Sequence, residues 1–339
     1  MTNPTISVVM PTLNSEKTLE QSLISITNQT FSQDRIEILV VDGGSTDTTI
    51  SIAKKYNCTI LKNLRKLPEF AKHIGIRRAR GQYCVFLDSD EVLTNKESLK
   101  TKYELMEQNS TIKNCLIGGL VNPSHYPFIN EYASHIGDPF SYFMYGIDAG
   151  NYRQSLESKF KSKTRHDRYI LYTVTNETLP ICDGGGHFFD LSYLKNNFDI
   201  RNEKIVSTIF ERMVGKTKHF AIVKNDFVLH YSNTSVRKYL SKIRWRVIGN
   251  IHYSKENITG FSEREKSQTL LFRIKKLLFI PLSIFLIWPI YSSVILMNKN
   301  KNILYATHIL FSIYTAILIL FYYALRFLNI KPRISVYGK

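Results

Sequence analysis

Asp88 and Asp90 close an apolar run, Tyr83-Cys84-Val85-Phe86-Leu87-Asp88-Ser89-Asp90. A buried strand tolerates no charge inside it, so two carboxylates spaced by one residue belong at its C-terminal end. There they can converge on a divalent cation and, through it, on a diphosphate. Mg²⁺ and Mn²⁺ take oxygen ligands, usually one or two carboxylates plus substrate phosphate. The same triplet also occurs in turns and helix caps, so the elements around it decide its meaning.

Those elements begin upstream. Ile6-Ser7-Val8-Val9-Met10-Pro11-Thr12-Leu13-Asn14 reads as a buried strand closed by a loop. A helix is expected over residues 16–27, with Leu19, Leu23 and Ile26 on one face. A second strand, residues 36–41, ends in Asp42-Gly43-Gly44-Ser45-Thr46-Asp47. The glycines allow a tight turn, and Ser45 or Asp47 can cap the next helix. A short strand at 58–61 and a helix at 70–80 lead into the strand before Asp88. Strands alternating with helices imply an α/β fold, a parallel sheet covered on both faces. Ligands of such sheets bind outside the carboxyl ends of the strands. The loops at 12–14, 42–47 and 88–90 therefore fall on one edge.

The three motifs Ser7-Val8-Val9-Met10-Pro11-Thr12-Leu13-Asn14, Val41-Asp42-Gly43-Gly44-Ser45-Thr46-Asp47 and Phe86-Leu87-Asp88-Ser89-Asp90 resemble those of the family 2 glycosyltransferases. The resemblance is specific over residues 5–92 and looser to about 232. It implies a GT-A fold, with a mixed, mainly parallel sheet and helices on both faces, and an inverting reaction. Pro11, Thr12, Asn14 and Asp42 would hold the nucleotide, with Asp42 having the competing role of a turn former. Lys72, where the family often has arginine, and Ser89 join that nucleotide-sugar set. Asp88 would contact the ribose or the metal side, and Asp90 would ligate Mg²⁺ or Mn²⁺ on the diphosphate. A metal there neutralises the charge that develops on the leaving group.

Beyond residue 120 the pattern is weaker. Asp183-Gly184-Gly185-Gly186 resembles the small-residue loop that lines the family's acceptor site, and a surface turn is the alternative. The family often carries Glu-Asp where this chain has Glu203-Lys204, so one carboxylate survives at most. Glu203 and Asp183 are the candidates for general base; a Glu in a first helical turn is also ordinary capping. His230 closes the apolar run Phe227-Val228-Leu229-His230. It is either a further metal ligand or structural.

The formal charge is +17. No zinc-finger, helix-turn-helix or RNP-like pattern accompanies it, so nucleic acid is not the expected partner. The basic residues gather before an apolar tail, which favours an anionic membrane surface. Residues 277–297 carry no charge, and neither do 303–325 apart from His308. Each is long enough to span a bilayer, and five residues separate them. A transmembrane hairpin or a re-entrant one is expected, with Pro281 and Pro289 tolerated in the first helix. Residues 233–276 read as basic amphipathic segments, with Val236, Leu240, Ile243 and Val247 on one helical face. The organisation expected is thus 1–232 as the α/β domain (1–120 on the nucleotide side, 121–232 on the acceptor side), 233–276 at the interface and 277–330 in the membrane. Arg273, Lys275 and Lys276 place the α/β domain on the cytosolic side of a cell membrane. The N-terminus shows no signal-peptide pattern. Cys58, Cys84, Cys115 and Cys182 lack paired spacing.

Taken together these readings imply a membrane-anchored hexosyltransferase acting on a nucleotide-sugar donor and a lipid-linked glycan or other hydroxyl acceptor. Transfer to a polyprenyl phosphate, which needs no base, is the alternative. A non-catalytic membrane scaffold with the same fold is the alternative of another class.

Overall fold

The computed structural model describes residues 4–157, 159–160, 163–175, 185–232, 234–254, 261–266 and 268–333. Two compact units emerge. One comprises Met1–Pro123 with Ala149–Tyr231, the other Ser124–Asp148 with Ser232–Lys339.

The first unit contains the strands β1 (Ile6–Thr12), β2 (Ile36–Asp42), β3 (Thr59–Lys62), β4 (Tyr83–Phe86), β5 (Glu91–Leu93), β6 (Asn114–Leu116), β7 (Gly119–Val121), β8 (Lys163–Arg165), β9 (Tyr169–Thr173), β10 (His187–Asp190), β11 (His219–Val223) and β12 (Phe227–His230). Among the described residues, nine of them form one sheet in the order β3-β2-β1-β4-β10-β6-β11-β9-β8. Strands β1 to β4 run parallel, and β10 enters antiparallel to both β4 and β6. The sheet is therefore mixed, with parallel pairing concentrated in the N-terminal half. A smaller sheet, β5-β12-β7, stands beside it in this unit.

β1 is buried along its whole length, as its β-branched run requires. Helix Leu19–Thr27 buries Leu19, Leu23 and Ile26, the face read from the sequence. The strand order reverses at β1, where β2 lies on one side and β4 on the other. Pairing with β2 continues to Thr12–Asp42, whereas pairing with β4 stops at Val9–Phe86. Pro11 has no amide hydrogen to offer a ladder, and beyond Val9 the two strands part. That opening is the switch point at which open α/β sheets bind ligands.

The second unit is helical. It contains Phe128–Ile136, Pro139–Tyr145, Val236–His252, Ile287–Asn300 and His308–Phe327. Its core joins Tyr132, Tyr239, Ile243, Tyr305 and Phe311. Ser124–Asp148, within the stretch read as the acceptor-side half, packs with the C-terminal helices because its aromatic residues find their partners there: Tyr132 Oη is bonded to His308 Nδ1 at 2.5 Å. In helix Val236–His252 the buried face is Tyr239, Ile243, Val247 and Ile251, and Val236 is exposed. The face is thus rotated from the expected one, because Tyr239 rather than Val236 enters the aromatic core.

The first apolar stretch of the tail is not one straight helix. Leu270–Ile284 and Ile287–Asn300 meet at 90°. Leu286 has φ 61° at the break, and Pro289 has no amide to donate to the Phe285 carbonyl one turn earlier. The prolines expected to be absorbed accompany a sharp bend instead. Among the described residues one helix, Ile303–Phe327, is long and apolar enough by itself to cross a membrane, and the bent pair passes the same test only when its two arms are counted as one broken span.

Candidate functional site

The three loops expected on one sheet edge meet there. Asn14, with φ 52°, receives a hydrogen bond from Thr46 N–H on its Oδ1 at 2.9 Å and donates its own N–H to Ser45 Oγ at 2.8 Å. Ser15 Oγ lies 2.8 Å from Ser89 Oγ, so the β1 loop is also tied to the Asp88–Asp90 loop. Ser15 N–H donates to Thr49 Oγ1 at 2.7 Å. Neither serine contact was anticipated, since isolated serines in polar loops carry no pattern.

Asp42, at the end of β2, is nearly buried. Its carboxylate accepts Gly44 N–H at 2.8 Å, Ser45 N–H at 3.0 Å and Ser45 Oγ–H at 2.5 Å. Gly44 has φ 92°, the left-handed conformation this turn needs. Asp42 thus builds the turn, and Pro11 and Thr12 lie directly across in register with Val41 and Asp42.

Lys72, on helix Pro68–Arg78, reaches Asp88 Oδ1 at 2.9 Å. Burial alone would lower the Lys72 pKa, but Asp88, and after it Glu91, hold it above the ordinary lysine value. The ammonium therefore stays charged beside the switch point. Asp90 Oδ2 lies 3.8 Å from His230 Nε2. Strand pairing brings them together: β12 runs antiparallel to β5 with His230 opposite Glu91, and Tyr231 N–H donates to the Asp90 carbonyl at 2.8 Å.

Glu91 is the residue the sequence reading missed. It is 2% exposed, and its Oε2 accepts the Asp88 N–H at 2.8 Å. Burial, then the charges of Asp88 and Asp90, push its pKa well above the usual carboxylate range, against the pull of Lys72. The signal was present: an acidic residue opening a strand directly after Asp-Ser-Asp. Its backbone is clipped by Ser22, whose Oγ–H donates to the Glu91 carbonyl at 2.5 Å.

Gly185 abuts Glu91 so closely that a Cβ there would overlap the carboxyl group. Gly186 N–H donates to the Phe86 carbonyl at 2.8 Å, and Lys102 Nζ donates to the Gly186 carbonyl at 3.4 Å. Lys102 is itself paired with Asp226 at 2.6 Å, both side chains fully buried. The described end of the glycine loop is therefore fixed on the same edge as Asp88–Asp90. Asp183 and Gly184 lie outside the described residues. Glu203 begins a 3₁₀ turn, Glu203–Thr208, is partly exposed and is paired with Arg65 at 2.7 Å.

Among the described residues no group of three or more His, Cys, Asp or Glu side chains converges on a metal-sized site. Asp90 and His230, 3.8 Å apart, would offer a cation one carboxylate and one imidazole nitrogen. A cation that also takes diphosphate and water oxygens needs no more from the protein, and a mixed oxygen–nitrogen set suits Mn²⁺ better than Mg²⁺.

Residues 7–198, more than half of the chain, match the family model described as Glycosyl transferase family 2. Over 121 residues the chain is 37% identical to an uncharacterized glycosyltransferase of Haemophilus influenzae, covering 33% of this chain and 46% of that protein. The Escherichia coli UDP-Glc:alpha-D-GlcNAc-diphosphoundecaprenol beta-1,3-glucosyltransferase WfgD is 25% identical over 257 residues, 59% of this chain and 98% of its own. The chain spans less than half the length of the first curated relatives it matches. Among solved structures, the mannosyltransferase PcManGT from Pyrobaculum calidifontis, in complex with GDP-Man and Mn²⁺, shares the fold at a TM-score of 0.52 and 12% identity, over 94% of this chain and 88% of that one.

Proposed function

The chain belongs to glycosyl transferase family 2, a family of transferases, and from that premise we propose that it is a membrane-associated, inverting glycosyltransferase. It moves a sugar from a nucleotide-sugar donor to a lipid-linked glycan. The observation that carries this reading is the joining of three loops at the switch point, through Asn14 to Ser45 and Thr46 and through Ser15 to Ser89. They frame one opening between β1 and β4, with Pro11, Thr12 and the Asp42 turn on one side and Asp88, Ser89 and Lys72 on the other.

In this reading the β1 and β2 loops hold the nucleoside. Asp88 is oriented by Lys72. Asp90 and His230 would hold a divalent cation, which when bound would offset the charge developing on the departing diphosphate. Gly185 and Gly186 belong to the acceptor side, and their missing side chains make room there for the Glu91 carboxyl and for Ile117. For a hydroxyl acceptor, Glu203 or Asp183 removes the proton, and the single displacement inverts the anomeric carbon.

Transfer to a polyprenyl phosphate is the second reading, favoured by one observation: the Glu203 carboxylate is already paired with Arg65. A phosphate acceptor is an anion and needs no base. Retained turnover in a Glu203→Gln, Asp183→Asn double variant supports the phosphate acceptor; lost turnover with intact nucleotide binding supports the hydroxyl.

Membrane association rests on the C-terminal helices of the second unit, which bury several polar side chains and expose large apolar ones. Ser283, Ser292, Ser293, His308, Ser312 and Thr315 are buried, while Phe285, Ile287, Leu310, Ile317 and Phe321 are exposed. Polar groups turned inward and apolar groups outward suit a helical bundle solvated by lipid. The lipid-linked acceptor named for the E. coli relative agrees with such a location. The deciding assay is nucleoside diphosphate release from a panel of nucleotide sugars, with Mn²⁺ or Mg²⁺, with and without lipid extract. Release that requires Asp90 and lipid supports the whole reading. Release by the Asp90→Ala variant at the parent rate removes the metal role.

A further inference from the structure

We propose that the helical C-terminal unit enters one leaflet of an anionic bilayer and does not cross it. The inference rests on the membrane association proposed above and concerns its geometry.

The helix long enough to cross, Ile303–Phe327, does not stand alone in its unit. Helix Val236–His252 runs alongside it in the same direction. The Tyr239 and Phe311 rings lie 5.1 Å apart near one end. Arg244 Nε–H donates to Tyr322 Oη at 2.7 Å further along. At the far end Arg326 donates to the Ile251 carbonyl at 2.9 Å. From Tyr239 to Ile251 the contact extends over about 18 Å at 1.5 Å per residue.

That companion helix is basic. Arg237, Lys238 and Arg244 are exposed on it, and Arg246 is paired with Asp138 at 3.0 Å. If His308–Phe327 crossed the hydrocarbon, its companion would have to enter with it. The Arg244 guanidinium, held beside the second half of the apolar helix, would then lie in lipid. Exposed charge at that depth is disfavoured, and long basic side chains escape only near helix ends.

The bend points the same way. Leu270–Ile284 and Ile287–Asn300 meet at 90°, so neither arm is long enough to span: fourteen residues in the second arm cover about 21 Å, against a core of about 30 Å. The exposed apolar side chains Phe285 and Ile287 sit at the bend itself. A corner of that kind enters one leaflet and returns. Arg273 on the approach and Lys301 on the return are exposed and supply cations at the level of anionic headgroups, while Lys276 is paired with Glu265 and Lys299 with Asp148. With the apolar faces dipping into one leaflet and the basic helix at the headgroups, the exposed Arg237, Lys238 and Arg244 stay at the interface.

The experiment is site-directed labelling in the full chain with Cys58→Ser and Cys182→Ser, carrying either Lys301→Cys or Arg333→Cys. These positions flank the apolar helix. Sealed membrane vesicles of known orientation are treated with a membrane-impermeant maleimide, with and without permeabilisation. One-leaflet insertion gives labelling of both positions from the same side, unchanged by permeabilisation. Labelling of the two positions from opposite sides overturns the proposal. As a second measurement, the unsubstituted protein is floated with preformed vesicles of phosphatidylglycerol or phosphatidylcholine. Spontaneous flotation with the anionic vesicles, reduced with the zwitterionic ones, is the expected result. No flotation and no protein in the membrane fraction overturns both the proposal and membrane association, while leaving nucleotide-sugar turnover to be judged by its own assay.

Discussion

Gly185→Ala tests the idea that a buried carboxyl couples the Asp88–Asp90 loop to the glycine loop. An alanine methyl at this position overlaps the Glu91 carboxyl carbon and both its oxygens, and Glu91 has nowhere exposed to go. Overpacking of this kind costs about 1–3 kcal/mol. Moving the carboxyl also removes the 2.8 Å hydrogen bond from Asp88 N–H, a further loss of about 1–3 kcal/mol. The expected destabilisation is about 2–6 kcal/mol, or a fall in melting temperature of roughly 4–24 °C for a unit of this size. Calorimetry or thermal fluorescence in detergent reads the first effect, and nucleoside diphosphate release reads the displacement of Asp88 as lost turnover. Adding Glu91→Ala to Gly185→Ala empties the contested space and recovers the overpacking part of the stability but not the turnover. A Gly185→Ala variant with the parent's melting temperature and turnover refutes the reasoning, as does a double variant less stable than either single one.

Other outcomes follow from the same site. Lys102→Met leaves Asp226 as a buried, uncompensated charge and costs about 3–5 kcal/mol; Lys102→Met with Asp226→Leu recovers most of it, measured by urea unfolding. His187 is buried against Asn114 Oδ1 at 2.9 Å, and burial, then Lys72 and Lys102, lower its pKa to about 3. The unfolded imidazole titrates near about 6.5, so between those values the unfolded state binds the extra proton. Stability present above about pH 6.5 is therefore lost as pH falls toward 3, and His187→Gln flattens that part of the unfolding profile relative to the parent. Chelation by EDTA abolishes turnover, and Mn²⁺ restores it at lower concentration than Mg²⁺; His230→Ala narrows that preference, read from metal titrations of initial rate.

The N-terminal sheet was legible because its signals are local. Runs of Val and Ile over 6–12 and 36–42, and Leu19, Leu23 and Ile26 at helical spacing, give the strand and helix directly. The site edge followed from strand direction alone. Glu91 stands directly after Asp-Ser-Asp, yet its burial was not legible, since a glutamate opening a three-residue strand looks exposed until β12 covers it. The bend at Phe285–Leu286 falls in a uniformly apolar stretch, where composition carries no turn signal and Pro289 alone hints at it. The pairing of Tyr132 with His308, 176 residues apart, depends on tertiary packing that no local pattern encodes.

The excursion Ser124–Asp148 has a practical consequence for dissection of the chain. Polypeptide passes between the units at three points, after Pro123, before Ala149 and after Tyr231. A water-soluble fragment ending near residue 232 would keep Tyr132, Tyr142 and Phe143 while losing the rings that cover them, among them Tyr239, Trp288 and Phe311. It would carry a sticky aromatic flap and aggregate. The cut that follows the packing also excises 124–148. Its two ends start close together, because the Gly118 carbonyl accepts Tyr152 N–H at 3.0 Å, so a short glycine–serine bridge can close the gap.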